Sequence, residues 1–117
     1  MSRSALWDVV FEQMQRHADA KRDPSPLHAL NRILMKHYGE AEVSPDTWNI
    51  SLRRLTRSQV QGLCRVHSEP VPRDQSRPIV VVRLGERDCV VDGNKRTSSW
   101  LEYQSDDFLD AITIFKD

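Results

Sequence analysis

Leu6, Val10 and Met14 stand four residues apart, with Trp7, Phe11 and Ala18 beside them. That stripe predicts an amphipathic helix over 5–21, capped by Ser4. Asp23-Pro24-Ser25-Pro26 breaks it. Leu27, Leu30, Ile33, Leu34 and His37 then resume helical spacing until Tyr38-Gly39, so a helical hairpin is expected. Trp7, Phe11, Leu30, Leu34 and Met35 are expected in the core, and residues 1–43 are assigned no chemistry. The texture changes after Ser44-Pro45-Asp46, where Trp48-Asn49-Ile50-Ser51-Leu52 alternates in the manner of a half-buried strand. Thr56 and Gln59 have capping-box spacing, and Val60, Leu63 and Cys64 follow on one face of a short helix. A loop is expected from Pro70 to Pro78. Ile79-Val80-Val81-Val82 suits a strand buried on both faces, and Gly85-Glu86 reverses the chain into Asp88-Cys89-Val90-Val91 as a hairpin. Asn94 to Tyr103 contains no helix breaker, and Ala111 to Phe115 reads as a last strand. The fold class is therefore α+β: a helical hairpin at 1–43 packed on a small mixed-sheet domain at 44–117.

Length and composition narrow this picture without changing it. A chain of 117 residues with 38% hydrophobic and 29% charged residues is the size of one globular domain. No apolar run approaches the ~20 residues of a membrane helix, so no membrane partner is expected. Neither a secretory signal nor a metal-like cysteine pair is visible in the sequence, which points to the cytoplasm. Charge is distributed unevenly. Residues 1–47 carry 6 Lys/Arg against 7 Asp/Glu, residues 48–101 carry 10 against 5, and the last sixteen carry 1 against 5. The basic middle segment suits an anionic ligand, although its excess is too small to imply tight binding to duplex nucleic acid.

The richest chemistry lies at Asp92-Gly93-Asn94-Lys95-Arg96, where a strand is expected to end and a helix to begin. A helix N-terminus presents unpaired N–H groups and a partial positive charge, which attract phosphate. Gly93 would let the backbone approach an anion closely. Lys95 and Arg96 oppose the helix dipole unless an anion offsets them. Asn94, Thr97 and Ser98 add side-chain hydrogen-bonding groups. The phosphate-binding candidates are thus Gly93, Asn94, Lys95, Arg96 and Thr97. Asp92 is the candidate catalytic carboxylate, holding a divalent metal or positioning water. Glu69, Glu86 or Asp88 would have to complete a metal site.

The succession of strand, helix, Pro-rich loop, Pro78-Ile79-Val80-Val81 strand, hairpin and Val91-Asp92-Gly93-Asn94-Lys95-Arg96 turn resembles the ParB/sulfiredoxin-like superfamily over roughly residues 48–117. The resemblance implies nucleotide phosphates on the turn, with Gly93 giving backbone contact and Arg96 at the family's arginine position. It further implies a nucleoside triphosphate with Mg2+ as cofactor, a nucleotide or nucleic acid as partner, and nuclease or nucleotide phosphohydrolase activity. Departures from the family's branches are readable. Asn94 stands where sulfiredoxins carry their reactive cysteine, and Thr56-Arg57-Ser58 where the superfamily's kinases carry an acidic base. The helix-turn-helix DNA reader of partition proteins has no counterpart in the residues after Phe115.

Asp92-Gly93-Asn94-Lys95-Arg96-Thr97 also resembles half of the Fic-type AMP-transferase motif. Asp88 stands at the position of that motif's histidine, and Val90 at its aromatic residue. The Fic motif joins two helices, whereas strand texture precedes the turn here. The rival from another class is a non-catalytic interaction protein serving a plasmid, phage or defence system. Its protein partner would be contacted by the helical hairpin or by the acidic tail Ser105-Asp106-Asp107.

Overall fold

The computed structural model describes residues 1–40, 42–70, 77–103 and 106–116. Helix α1 spans Arg3–Lys21 and is capped by Ser2, whose hydroxyl accepts from the Ala5 N–H. The expected cap at Ser4 is therefore two residues late, since an earlier serine already satisfies a first-turn donor. Helix α2 spans Pro26–Tyr38, with Ser25 as its cap and Gly39 at φ 76° closing its end. The remaining elements are β1 (Asn49–Leu55), α3 (Arg57–Gln61), β2 (Ile79–Leu84), β3 (Arg87–Asp92), α4 (Asn94–Tyr103) and β4 (Leu109–Phe115). The architecture is α+β, a helical hairpin followed by a mixed sheet, as the periodicity predicts.

The sheet order is β1-β4-β2-β3, with β4 parallel to β2 and both outer pairings antiparallel. Strand alternation sorts the apolar residues onto two faces. Val80, Val82, Cys89, Val91, Ile112 and Ile114 meet the hairpin residues Val10, Met14, Leu30 and Leu34 on one side. Ile79, Val81, Val90 and Ala111 meet Val60 and Trp100 of α3 and α4 on the other. The result is three layers, helices on both sides of one sheet. Both faces of β2 are covered, which suits its β-branched run from Ile79 to Val82.

Several local expectations differ in detail. Helix α3 stops at Gln61, so Leu63 and Cys64 do not continue its face, although the Thr56–Gln59 capping box forms. Cys64 instead makes an isolated parallel bridge to Cys89, where its N–H donates to the Asp88 carbonyl and its own carbonyl accepts from the Val90 N–H. Met35 is 54% exposed and does not join the core. The expected loop from Pro70 to Pro78 lies mostly outside the described residues, and so does Ser105 of the acidic tail. Asp106 and Asp107 are exposed. No helix among the described residues is long and apolar enough to cross a membrane.

One irregularity in the sheet positions the candidate site. The β2–β3 register shifts between Val80 and Val81, so Val81 pairs with Val90 while Val80 pairs with Asp92. Val91 is the extra residue of a β-bulge. In unbroken alternation Asp92 would share the α4 face with Val90. The bulge turns it to the hairpin face, toward α1.

Candidate functional site

Asp92 ends β3 almost completely enclosed, at 4% exposure, and four side chains converge on it. Its Oδ1 accepts from His17 Nε2 at 2.8 Å and lies 3.8 Å from Arg16 Nη2. Its Oδ2 accepts from Gln13 Nε2 at 3.1 Å and from Arg96 Nη2 at 3.0 Å. Burial alone would raise the Asp92 pKa, but the His17 hydrogen bond and the Arg96 charge outweigh it and hold the carboxyl below its ordinary value. For Arg96 burial has the upper hand and lowers the pKa, with Asp92 restoring part of it. The guanidinium stays charged, because an arginine starts too high to lose its proton in a protein.

A pH dependence follows. The folded pKa of Asp92 lies below its ordinary 3.8, so its stabilising contribution is complete above that value and is lost as pH falls through the folded pKa. Thermal melts taken down the acid range should lose stability more steeply in the wild type than in Asp92→Asn. Equal slopes would show that Asp92 has no depressed pKa.

The turn itself is built tightly. Gly93 has φ 101°, and a Cβ there would lie 2.5 Å from Ile79 Cγ2 and 2.9 Å from Arg96 Nη2. The space left by the missing side chain is filled by the protein's own groups. Asn94 Oδ1 accepts from the Val66 N–H at 3.1 Å, which ties the segment after Cys64 to the start of α4. Thr97 is fully buried and its hydroxyl donates to the Gly93 carbonyl at 2.8 Å. The Ser98 hydroxyl accepts from Arg65 at 2.7 Å. Neither Thr97 nor Ser98 faces the cleft described next, because both are engaged within the turn and its neighbours.

Between the hairpin and this turn lies a cleft of about 640 Å³. Its walls carry Arg16, Lys21, Arg32 and Lys36 from the hairpin and Arg77, Lys95 and Arg96 from the sheet side, with Asp92 as the one acid among the described residues. Arg32 is paired with Asp23 at 3.0 Å, and Arg96 with Asp92. Lys21, Lys36, Arg77 and Lys95 have no ion-pair partner among the described residues. Arg16 and Arg77 both act electrostatically on Arg96. Arg16 and Arg77 thus crowd Arg96. Arg96 Nε is moreover buried without a hydrogen-bond partner, a costly state for a charged donor. Ala20, Ile33, His37, Val66, Ser68 and Val91 also line it.

No protein-family profile, curated protein or solved structure matches this chain. The site therefore has to be read from its own geometry. Gly93, Asn94, Lys95 and Arg96 come together at the cleft with Asp92, while Thr97 lies beneath it. Gln13, Arg16 and His17 belong to the segment that was assigned no chemistry, and they surround Asp92. Their signal was present in the sequence: Gln13 and His17 stand three and seven residues after Val10, on the inward stripe of α1, where polar side chains require partners.

The described residues do not offer a site for a metal held by the protein alone. Among the described residues no three His, Cys, Asp or Glu side chains converge as a metal site. Both Asp92 oxygens already accept hydrogen bonds, and positive groups surround them. Asp88 cannot assist, since four residues along a strand separate it from Asp92 by roughly 13 Å. It pairs instead with Arg83 at 2.9 Å. Glu69 and Glu86 are exposed outside the cleft. The turn joins strand β3 to helix α4, whereas the Fic motif joins two helices.

Proposed function

We propose that this protein binds a phosphorylated small molecule, a nucleotide in the first instance, in the cleft between α1–α2 and the turn from Asp92 to Arg96. The observation that carries this reading is the charge of the cleft: among the described residues, seven Lys and Arg side chains against one buried carboxylate that is already neutralised. A bound phosphate would supply the missing negative charge. It would occupy the first-turn amides of α4, which have no partner within the helix. Ala20 and Val66 on the walls offer apolar surface for a base or another flat group. The bounded cleft favours a small ligand over a long polymer, whose backbone charges call for an extended basic track. The ParB/sulfiredoxin-like resemblance is supported by the strand–Gly93–helix junction and by the place of Arg96. Asp92 acts here as an organiser of Arg96 and α1, and no step passes through a protein-held metal.

Calorimetric titration with ATP, ADP and inorganic phosphate, with and without Mg2+, tests the proposal. Binding should weaken as salt rises. Lys95→Ala and Arg77→Ala should each lower affinity by about three- to tenfold, since each removes one charged contact. A short single-stranded oligonucleotide that binds more tightly than every nucleotide would move the reading to nucleic acid. Absence of binding by all of these would leave the interaction-protein reading, which variants of the cleft lysines and arginines would not disturb.

A further inference from the structure

His17 stands in the cleft against an enclosed carboxylate, which poises it for covalent chemistry with a bound phosphate; His37 also lines the cleft but has no carboxylate partner among the described residues. Its ring stands in the cleft wall, 37% exposed, with Nε2 fixed 2.8 Å from Asp92 Oδ1. A carboxylate acceptor at that distance requires the proton on Nε2, which leaves a lone pair on Nδ1 in the neutral ring. Nδ1 has no hydrogen-bond partner among the described residues and is not among the enclosed unpaired atoms. Gln13, Arg96 and Arg16 hold Asp92 in turn, which fixes the orientation of the imidazole. Arg16, Arg77 and Lys95 lie on the walls around it, where they can carry charge on phosphoryl oxygens.

The geometry points to His17 Nδ1 as a phosphoryl acceptor that takes a phosphoryl group from a phosphoric or acyl phosphoric anhydride bound in the cleft. This rests on the reading of the cleft as a phosphate site. The Nδ1 lone pair forms the N–P bond as the anhydride P–O bond breaks. The electron pair leaves with the departing diphosphate or carboxylate, which needs no proton. The Nε2 proton stays in place, and Asp92 offsets the positive charge that develops on the ring. Asp92 is a positioning residue in this step and His17 the catalytic one.

The test is incubation of the full chain with ATP and, separately, with acetyl phosphate, followed by intact-mass and phosphorus NMR measurement. The expected product carries one phosphoryl group, labile in acid and stable in base, on Nδ1 of His17. His17→Gln should abolish it and His67→Gln, outside the cleft, should not. Asp92→Asn should slow its formation by about tenfold or more, as loss of orientation does. Phosphoryl groups spread over His28, His37 and His67 as fast as over His17, or attached to Nε2, would overturn the inference. The wild-type NMR measurement decides this even if a variant fails to fold. If ATP binds in titration and no phosphohistidine forms with either donor, the inference fails and the cleft proposal stands. If ATP and phosphate do not bind and no phosphohistidine forms, both fall together.

Discussion

Asp92→Ala is expected to destabilise the protein by about 3–5 kcal/mol, the usual cost of removing one member of a buried ion pair. Both side chains of the Asp92–Arg96 pair are nearly inaccessible, at 5% and 6% exposure. The variant leaves a guanidinium enclosed with Nε already unpaired and now lacking its carboxylate. Gln13 Nε2 keeps a bond to the Pro78 carbonyl at 3.1 Å, so its loss is partial. Urea unfolding measures the effect. The double variant Asp92→Leu with Arg96→Met discriminates the cause, because apolar residues of similar volume remove the stranded charge and should recover most of the stability. A single-variant loss below about 1 kcal/mol would mean that Arg96 escapes to solvent, and the enclosed ion pair would no longer organise the site.

Such a pair also explains why part of the site was legible in the sequence and part was not. The β-branched run Ile79 to Val82, the reversal at Gly85 and the breaker-free stretch from Asn94 to Tyr103 are local signals, and they place the strand–Gly93–helix junction correctly. The amphipathic periods of α1 and α2 place the hairpin equally well. A bulge has no such signature. Val91 looks like any strand residue, yet its insertion decides whether Asp92 faces α4 or α1. Everything built on Asp92 inherits that ambiguity, which is why Gln13 and His17 could not be tied to it beforehand. Their place on the inward stripe of α1 marked them as polar groups needing partners without naming the partner.

Charge was legible along the chain but not in space. The basic excess belongs to residues 48–101, yet four of the seven cations of the cleft come from the nearly neutral first segment. Much of the basic segment lies elsewhere: Arg83 and Arg53 face Asp88, and Arg54 faces Asp110. Lys95 and Arg96, adjacent in sequence, have opposite fates. Lys95 is exposed at the mouth of the cleft and Arg96 is enclosed beneath it. A pair of cations opening a helix indicates that negative charge is required nearby. In this protein Asp92 supplies part of that charge from within, and in the function proposed above a bound phosphate supplies the rest.

Gly93→Ala should cost about 2–5 kcal/mol, combining the strain of a positive φ with overpacking against a core that cannot yield. The added methyl would lie 2.5 Å from Ile79 Cγ2 and 2.9 Å from Ile79 Cβ. Ile79 is fully buried between the sheet and α4, so it has no free direction in which to move. The same methyl meets Arg96 Nη2 at 2.9 Å, the atom that holds Asp92. Displacing it disturbs the ion pair, and ATP affinity should fall along with stability. Gly39→Ala and Gly85→Ala are the controls, since both glycines have positive φ and nothing within 4 Å of an added Cβ. Backbone strain alone should cost these about 1–2 kcal/mol, with nucleotide affinity unaffected. If Gly93→Ala were no more harmful than Gly39→Ala in urea unfolding, Ile79 and Arg96 would have room to move. The turn would then be a looser structure than a preorganised phosphate site requires.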